Sequence, residues 1–200
     1  MSRPPQLWLI AGPNGAGKST LVARFHLGAR MEIINPDEIA AQLQRADHAR
    51  RDIAMAAGRI ALARRQTLLA AGESFGIETT LTGHGEQHLI GAARARGYKV
   101  TIVFLGLDGA MIALARVRER IARGGHAIPA DIIERRFEKG LAALPAVIAG
   151  ADRAFVLDNS GSRHRLLAVI EAGRPRYVSD QPPAWVVPLL AALGGRVVPE

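Results

Sequence analysis

A short run near the start of the chain has the residue types and the spacing of a phosphate-binding loop. Residues 12–19 fit the pattern G-x-x-x-x-G-K-[ST]. The apolar run before the loop predicts a buried strand over about 6–11, and the segment after it predicts a helix to about residue 27. Glycines let such a loop wrap closely around phosphates, because they adopt backbone angles that other residues resist. The run therefore predicts a nucleoside triphosphate site between a strand and a helix.

Two residues of this loop have expected roles in binding the nucleotide. We expect Lys18 to reach the β- and γ-phosphates and the hydroxyl of Ser19 to ligate Mg²⁺. The predicted cofactors are therefore ATP or GTP together with Mg²⁺. The alternative is a glycine-rich turn that binds nothing, and the lysine, the serine and both flanks argue against it. The residues predicted to contact the nucleotide are Gly12, Pro13, Asn14, Gly15, Ala16, Gly17, Lys18, Ser19 and Thr20.

The composition limits the class of protein. The 200 residues suit one domain with a full core. No apolar stretch reaches the roughly 18 residues that a bilayer crossing needs, and the N-terminal residues run directly into the first predicted strand. We therefore expect no signal peptide and no membrane partner. The chain has no cysteine, which excludes a disulfide and fits a cytoplasmic location.

The charge is strongly positive, with a formal net charge of +8. A basic surface can indicate nucleic-acid binding. Nearly all of this charge is arginine, however, and it is spread widely along the chain. Aromatic residues make up only 4%, too few for an evident base-stacking surface. We therefore do not expect nucleic acid to be the main partner.

Apolar runs alternate with helical stretches, which predicts an α/β fold with a parallel sheet and helices on both faces. We predict five strands, at about 6–11, 31–35, 74–79, 99–105 and 153–157. Helices are predicted from Pro36, over about 47–71 and 86–96, from an Asp108 N-cap to about 122, and over about 130–149. The core is expected at about 6–159 of a single domain spanning 1–200. The segment over about 160–200 predicts a C-terminal β-hairpin, as a small appendage, and a short helix.

Two carboxylates follow predicted strands beside the phosphate loop. Ligands of open α/β sheets bind outside the carboxyl ends of the strands. Asp37 can accept a proton from a substrate hydroxyl there, although an acid at a helix start is the alternative. Glu78 closes an apolar strand and is expected to face metal, water or substrate, or else to pair with an arginine. The Thr80 hydroxyl lies nearby, and we interpret Asn159 as part of a turn, with a loop beside the adenine as the alternative.

An arginine- and glycine-rich segment predicts a lid over the site. Arg116 and Arg120 are four residues apart and share a helix face. Arg123 leads into Gly124-Gly125-His126, where glycines could act as hinges and arginines could clamp a transferring phosphate. The alternative is a solvated helix whose arginines pair with Glu119 and Glu134. His126 is predicted either to contact substrate or to cap the loop.

Together, four segments resemble the zeta-toxin family: 12–20, Ile34-Asn35-Pro36-Asp37-Glu38, Ile77-Glu78-Thr79-Thr80-Leu81 and Arg120-x-x-Arg123-Gly124-Gly125-His126-x-x-Pro129. The resemblance covers roughly residues 7–159. It implies a P-loop kinase of the nucleotide-kinase type with a five-strand parallel core. Characterised members phosphorylate the 3′-hydroxyl of the sugar in UDP-N-acetylglucosamine, so a nucleotide-sugar substrate and an antitoxin partner are also implied.

The resemblance also implies roles for single residues. Lys18 would neutralise the phosphates, Ser19 would bind Mg²⁺, Asp37 would be the base on the substrate hydroxyl, and Glu78 would place substrate or metal-bound water. The lid departs from the family, whose members carry an arginine near the position of His126. The candidates to replace this arginine are Arg120, Arg123, Arg135 and Arg136.

The leading hypothesis is an ATP-dependent kinase acting on a sugar hydroxyl, with Asp37, Lys18 and Arg120 in the catalytic centre. Glu78, Thr80, Arg123 and His126 are the predicted substrate contacts. Two alternatives stay open: a regulatory nucleotide-binding module or ATPase without a sugar acceptor, and a polynucleotide 5′-kinase.

Overall fold

A computed structural model describes residues 3–47, 51–83, 85–124 and 128–194, and these fold around one seven-stranded sheet. The strands are β1 (Gln6–Ala11), β2 (Glu32–Ile34), β3 (Phe75–Thr79), β4 (Lys99–Gly106), β5 (Arg153–Asp158), β6 (Arg165–Glu171) and β7 (Arg174–Val178). The helices are α1 (Lys18–Arg24), α2 (Pro36–Ala46), α3 (Ile53–Ala71), α4 (Gly85–Ala95), α5 (Ala110–Ala122), α6 (Ala130–Ala149) and α7 (Val187–Ala192). Two 3₁₀ turns, Leu27–Ala29 and Ala184–Val186, follow α1 and precede α7.

Strand β1 lies at the centre of the parallel part of the sheet. The strand order is β2-β3-β1-β4-β5-β6-β7, and the first five strands in this order are mutually parallel. Leu9 pairs with Ile77 of β3 on one side and with Ile102 of β4 on the other. The chain runs from β1 to β2 and back to β3 on one side, and then crosses to β4 on the other side of β1, so the carboxyl end of β1 is a topological switch point.

Both faces of β1 are covered by helices, as a parallel strand requires. Leu7 and Leu9 are fully buried in a cluster to which α3, α4 and α7 contribute. Ile10 points the other way, into a cluster formed with α1 and α5. Helix α6 contributes side chains to both clusters.

The five predicted parallel strands are present as β1 to β5, but the C-terminal hairpin extends the same sheet to seven strands, so the prediction of a separate appendage is wrong. Strand β6 pairs antiparallel with β5, through Ala154 and Ile170, and β7 pairs antiparallel with β6. Leu167, Ala168 and Ile170 are buried in the same cluster as the central strands. The apolar face of β6 therefore completes the main core, and the sheet is mixed.

Two predicted helix starts are also wrong. Asp47, predicted to begin the long helix, has an extended backbone with φ −146° and ψ 97°, and α3 begins only at Ile53. Asp108 does not cap α5; Gly109 occupies the N-cap, and the Asp108 N–H donates instead to Ser160 Oγ. Within the described ranges, no helix has the length and apolar character that crossing a membrane requires.

Candidate functional site

The phosphate loop joins β1 to α1 at the centre of the sheet. Its turn is closed by a hydrogen bond from the Ala16 N–H to the Pro13 carbonyl, at 3.2 Å. Gly12 and Gly17 have φ values of 143° and 89°, which side chains resist. A Cβ on Gly12 would lie 2.2 Å from the Leu105 carbonyl oxygen, and one on Gly17 would lie 2.8 Å from Asn159 Nδ2. Both glycines are therefore required by conformation and by space.

The side chain of Lys18 is folded back over this loop. Its ammonium donates hydrogen bonds to the carbonyl oxygens of Gly12, at 2.9 Å, and Pro13, at 3.0 Å. Burial lowers the pKa of Lys18 to about 8, although the charges of Glu78 and Asp37 act to raise it. These two carboxylates do not fully offset the burial of the ammonium, and a polyanion bound in the loop would add negative charge beside it.

Glu78 lies at the end of β3, within reach of the first turn of α1. The Ser19 hydroxyl donates a 2.9 Å hydrogen bond to Glu78 Oε2. Glu78 is 6% exposed, and its burial raises the pKa of the carboxylate, while the Ser19 hydrogen bond and the charge of Lys18 act to lower it. A hydroxyl beside a carboxylate is an oxygen donor set that Mg²⁺ accepts, especially when phosphates complete the coordination. The residues present therefore fit a magnesium ion.

Asp37 is held by the start of α2. The Asn35 side chain caps the helix, accepting a 3.0 Å hydrogen bond from the Asp37 N–H, and Pro36 occupies the first helical position. The cap fixes the backbone of Asp37, so that its side chain lies beside Lys18 and Glu78. Each of these three residues lines the same two adjoining cavities.

The first of these, the phosphate-loop cavity, is bounded by the loop and by α5. Its volume is about 230 Å³, and beyond the three shared residues it is lined by loop residues with Arg116 and Arg120. The second, the inner cavity, has a volume of about 200 Å³ and lies on the side of α3, α4 and α6. The residues that line it beyond the shared three are Asn35, Pro36, Arg65, Thr79, Thr80, Glu86 and Arg136. Lys18, Asp37 and Glu78 thus form a shared wall between the phosphate-loop cavity and the inner cavity.

The predicted lid arginines do not all reach the site. Arg120 lines the phosphate-loop cavity, and its charge helps to lower the pKa of Lys18. Arg123 is exposed, pairs with Glu119 at 2.6 Å and lines neither of these two cavities. His126 and Gly125 lie outside the described residues. Of the other candidates, Arg136 lines the inner cavity and Arg135 is exposed.

Asn159 does more than complete a turn. Its Nδ2 donates a 2.8 Å hydrogen bond to the carbonyl of Ala16, inside the phosphate loop. Its own N–H donates to the Gly106 carbonyl at 3.0 Å, at the end of β4. Beside it, Arg116 donates to the Ser160 carbonyl at 3.2 Å. The segment after β5 therefore holds the phosphate loop and α5 in place.

The threonines after Glu78 have different partners. Thr79 Oγ1 donates a 2.6 Å hydrogen bond to Glu86 Oε1 and accepts one from the Leu81 N–H, at 3.0 Å. Thr80, the predicted substrate contact, lines the inner cavity, and its hydroxyl shares a 3.3 Å hydrogen bond with that of Thr82. Thr80 is thus beside the inner cavity, while Thr79 orients a buried carboxylate.

Sequence reasoning missed Arg65 and Glu86. Arg65 is one of many arginines in an alanine-rich helix, and Glu86 resembles an ordinary acid in a first helical turn. A signal for Arg65 was available, because Ala61 and Leu68, four residues before it and three after it, are both buried. Helical periodicity therefore places Arg65 on the core-facing side of α3.

Comparison with known proteins identifies the fold. A chain in the crystal structure of AvrRxo1-ORF1:AvrRxo1-ORF2 with ATP matches with a TM-score of 0.74 and 15% identity, over 98% of this chain and 66% of that chain. A chain of the PezAT chromosomal toxin-antitoxin system of Streptococcus pneumoniae matches with a TM-score of 0.59 and 17% identity, over 79% and 69% of the two chains. This chain thus spans just under two thirds of its AvrRxo1 counterpart. At these identities the likeness establishes a P-loop kinase-like fold.

The sequence comparisons give the family. An uncharacterized protein of Haemophilus influenzae (strain ATCC 51907 / DSM 11121 / KW20 / Rd) is 33% identical over an alignment of 139 residues, and the match covers 66% of this chain and 97% of that protein. A family model described as an AAA domain (AAA_33) matches residues 7–147, which include the phosphate loop, Asp37, Glu78 and Arg120. The chain belongs to this AAA domain family.

Proposed function

We propose that this protein is an ATP-dependent kinase that transfers the γ-phosphate to the hydroxyl of a small molecule. The first acceptor to test is the sugar of UDP-N-acetylglucosamine, which the zeta-toxin resemblance suggests. The observation that carries the proposal is the shared wall of Lys18, Asp37 and Glu78 between two cavities. A hydrolase needs room for water beyond the γ-phosphate, whereas a second lined cavity supports a larger acceptor.

In this proposal the phosphate-loop cavity receives ATP. Backbone N–H groups of the loop and the start of α1 bind the phosphates, as at other helix N-termini. Lys18 and Arg120 stabilise the charge that develops on the transferred group. Ser19 and Glu78 would hold Mg²⁺, which would neutralise phosphate charge when bound.

The inner cavity receives the acceptor, and Asp37 is the base. Its carboxylate takes the proton of the acceptor hydroxyl as that oxygen bonds to the γ-phosphorus, and the bond to the β,γ-bridging oxygen breaks to release ADP. A further cavity of about 370 Å³ adjoins it, sharing Pro36, Asp37 and Arg136. Its other lining is mostly apolar, with Ala40, Ala57 and Ile132 among the residues, and could hold the rest of a larger acceptor.

Phosphate transfer from ATP to a panel of UDP-sugars and free sugars, followed by ³¹P NMR, tests the proposal. We expect a new phosphomonoester signal with at least one acceptor, and its loss in Asp37→Ala. Hydrolysis of ATP at a rate that no panel member changes would instead favour the ATPase alternative. Transfer to the 5′ end of an oligonucleotide would favour the polynucleotide kinase.

We also propose a protein partner of the antitoxin type. The support is the zeta-toxin resemblance, together with the shared fold of chains from AvrRxo1-ORF1:AvrRxo1-ORF2 and from PezAT. Expression in a bacterial host tests the toxicity that such a partner would control. Growth arrest by the wild-type chain but not by Lys18→Ala is the expected result, and harmless expression of both would contradict it.

A further inference from the structure

Arg65 is an arginine of α3 that faces the inner cavity. Ala61 and Leu68, on the same side of the helix, are buried in the main core. Two other arginines of this helix behave differently, since Arg64 and Arg59 are exposed and pair with Glu32 and Asp52. Arg65 instead lines the cavity that also contains Asp37 and Glu78.

The guanidinium of Arg65 has a donor that the described residues do not satisfy. Its Nε is buried and has no hydrogen-bond acceptor among them. Burial lowers the pKa of Arg65, while the charge of Glu86 acts to raise it. A buried N–H without a partner is unfavourable, so such a group in a native structure calls for an occupant.

Glu86 does not provide that partner. Glu86 is 8% exposed, and its Oε1 accepts the hydrogen bond from Thr79. It therefore balances the charge of Arg65 from a fixed position, without accepting from Nε. Arg136 lines the same cavity. If Lys18, Asp37 and Glu78 are assigned to phosphate transfer, the charged groups that remain in the lining are the guanidinium groups of Arg65 and Arg136 and the carboxylate of Glu86.

We propose that Arg65 binds the acceptor, by donating from Nε and the adjacent guanidinium nitrogen to a carboxylate or phosphate group of that molecule. The edge of a guanidinium matches two anionic oxygens in this way, which a lysine ammonium cannot do. Acceptors that carry an anionic group near the reacting hydroxyl are thus favoured over neutral sugars. This assignment rests on the proposed kinase function, since it takes the inner cavity as the acceptor site.

A binding measurement tests Arg65 without requiring catalysis. The wild type and Arg65→Gln are each saturated with a non-hydrolysable ATP analogue and Mg²⁺, so that the phosphate loop is occupied, and inorganic phosphate or acetate is then titrated. We expect wild-type binding of at least one of these anions, at least tenfold weaker in Arg65→Gln, with unchanged affinity for the analogue. Arg59→Gln, an exposed change on the same helix, should match the wild type. Absence of wild-type binding, or equal binding by Arg65→Gln, would overturn the proposal.

A kinetic measurement separates this claim from the proposed function. Matched neutral and anionic hydroxyl compounds, such as glucose, gluconate and glucose 6-phosphate, are compared as acceptors. Arg65→Gln should raise KM for the anionic acceptors at least tenfold and leave KM for ATP unchanged. Anion binding that depends on Arg65 without phosphorylation of any acceptor would reject the kinase and keep the anion site. Phosphorylation with no preference for anionic acceptors would keep the kinase and reject the anion site.

A structural role for Arg65 predicts a different pattern. If Arg65 only balances Glu86, the double variant Arg65→Gln/Glu86→Gln should restore wild-type anion binding, because both buried charges are gone. We expect the double variant to fold and to remain at least tenfold weaker. The double variant also replaces Arg65→Gln in the binding measurement if the single variant is too unstable to purify. Arg65→Lys should recover part of the anion affinity, since it keeps the charge without the paired donors.

Discussion

The Ser19 hydroxyl donates a 2.9 Å hydrogen bond to Glu78 Oε2 and so joins the phosphate-loop helix to the end of the neighbouring strand. The Gly12 N–H donates to the Thr79 carbonyl at 3.2 Å just beside it, where β1 and β3 end together. A hydroxyl oxygen and a carboxylate oxygen therefore meet at the edge of the sheet. This arrangement supports Mg²⁺ coordination there together with the phosphates of a nucleotide.

Replacing Glu78 by glutamine keeps the shape of the side chain and removes its charge. We expect Mg²⁺ to bind the nucleotide complex about 10–100-fold more weakly, the range typical when a group that supports a metal site is lost. The measurement is the Mg²⁺ dependence of ADP binding by calorimetry. Glu119→Gln is the matched control, because Glu119 is exposed and pairs with Arg123. An unchanged Mg²⁺ dependence in Glu78→Gln would remove Glu78 from the metal site.

Lys18 should take up a proton when ATP binds above neutral pH. Its pKa is about 8 in the free protein because burial disfavours the charged form, so about three quarters of the side chains are neutral at pH 8.5. Bound phosphates favour the ammonium and raise this pKa, whereas at pH 6.5 the side chain is already charged. Calorimetry in buffers of different ionisation enthalpy measures the uptake, which we expect at pH 8.5 and scarcely at pH 6.5.

Lys18→Met separates this uptake from that of other groups. If the variant still binds ATP measurably, the uptake at pH 8.5 should be absent. An equal uptake in the variant, or none in the wild type at pH 8.5, would contradict the assignment. Since the pKa of Lys18 is lower in the folded than in the unfolded state, Lys18 opposes folding at neutral pH. This unfavourable contribution declines as pH rises from about 8 towards the ordinary lysine pKa of 10.5.

Asn159→Ala should loosen the phosphate loop. The change removes the donor to the Ala16 carbonyl and leaves that buried carbonyl without this hydrogen bond, at a cost of about 1–3 kcal/mol in unfolding free energy. We expect KM for ATP to rise several-fold while KM for the acceptor stays constant. Urea denaturation and steady-state kinetics provide the two readouts. Exposed Ser162→Ala is the control, and a rise in acceptor KM alone would show that Asn159 does not act on the loop.

The phosphate loop was predictable because its residue spacing is a short-range pattern, and the place of the strand-end carboxylates followed from the predicted parallel sheet. The glycine, lysine and serine spacing fixes the loop, and the parallel order of the strands brings Glu78 to the edge where the loop lies. The place of β6 was not predictable in this way. An alternating hairpin pattern shows that two strands pair with each other, but pairing with β5 depends on which sheet edge is open. Arg65 was missed because its type suggested a surface residue, although the helical period indicates the core-facing side.

The start of α5 shows a similar limit. Asp108 has the residue type of an N-cap, but its backbone N–H is engaged by Ser160, which is distant in sequence. Gly109, with φ 107°, then provides the turn into the helix. The helix thus begins one residue later than the preference of aspartate for N-caps predicts, beside a contact between residues distant in sequence.

The most direct test of the central claim is acceptor-dependent phosphate transfer by Asp37→Asn. With the acceptor identified by the panel, we expect kcat to fall about 10²–10⁴-fold, as for loss of a general base, while affinity for the ATP analogue is unchanged. Glu38→Gln, the adjacent acid on α2, should retain activity. Transfer by Asp37→Asn at the wild-type rate would contradict the account, because the wall between the two cavities would then lack its base.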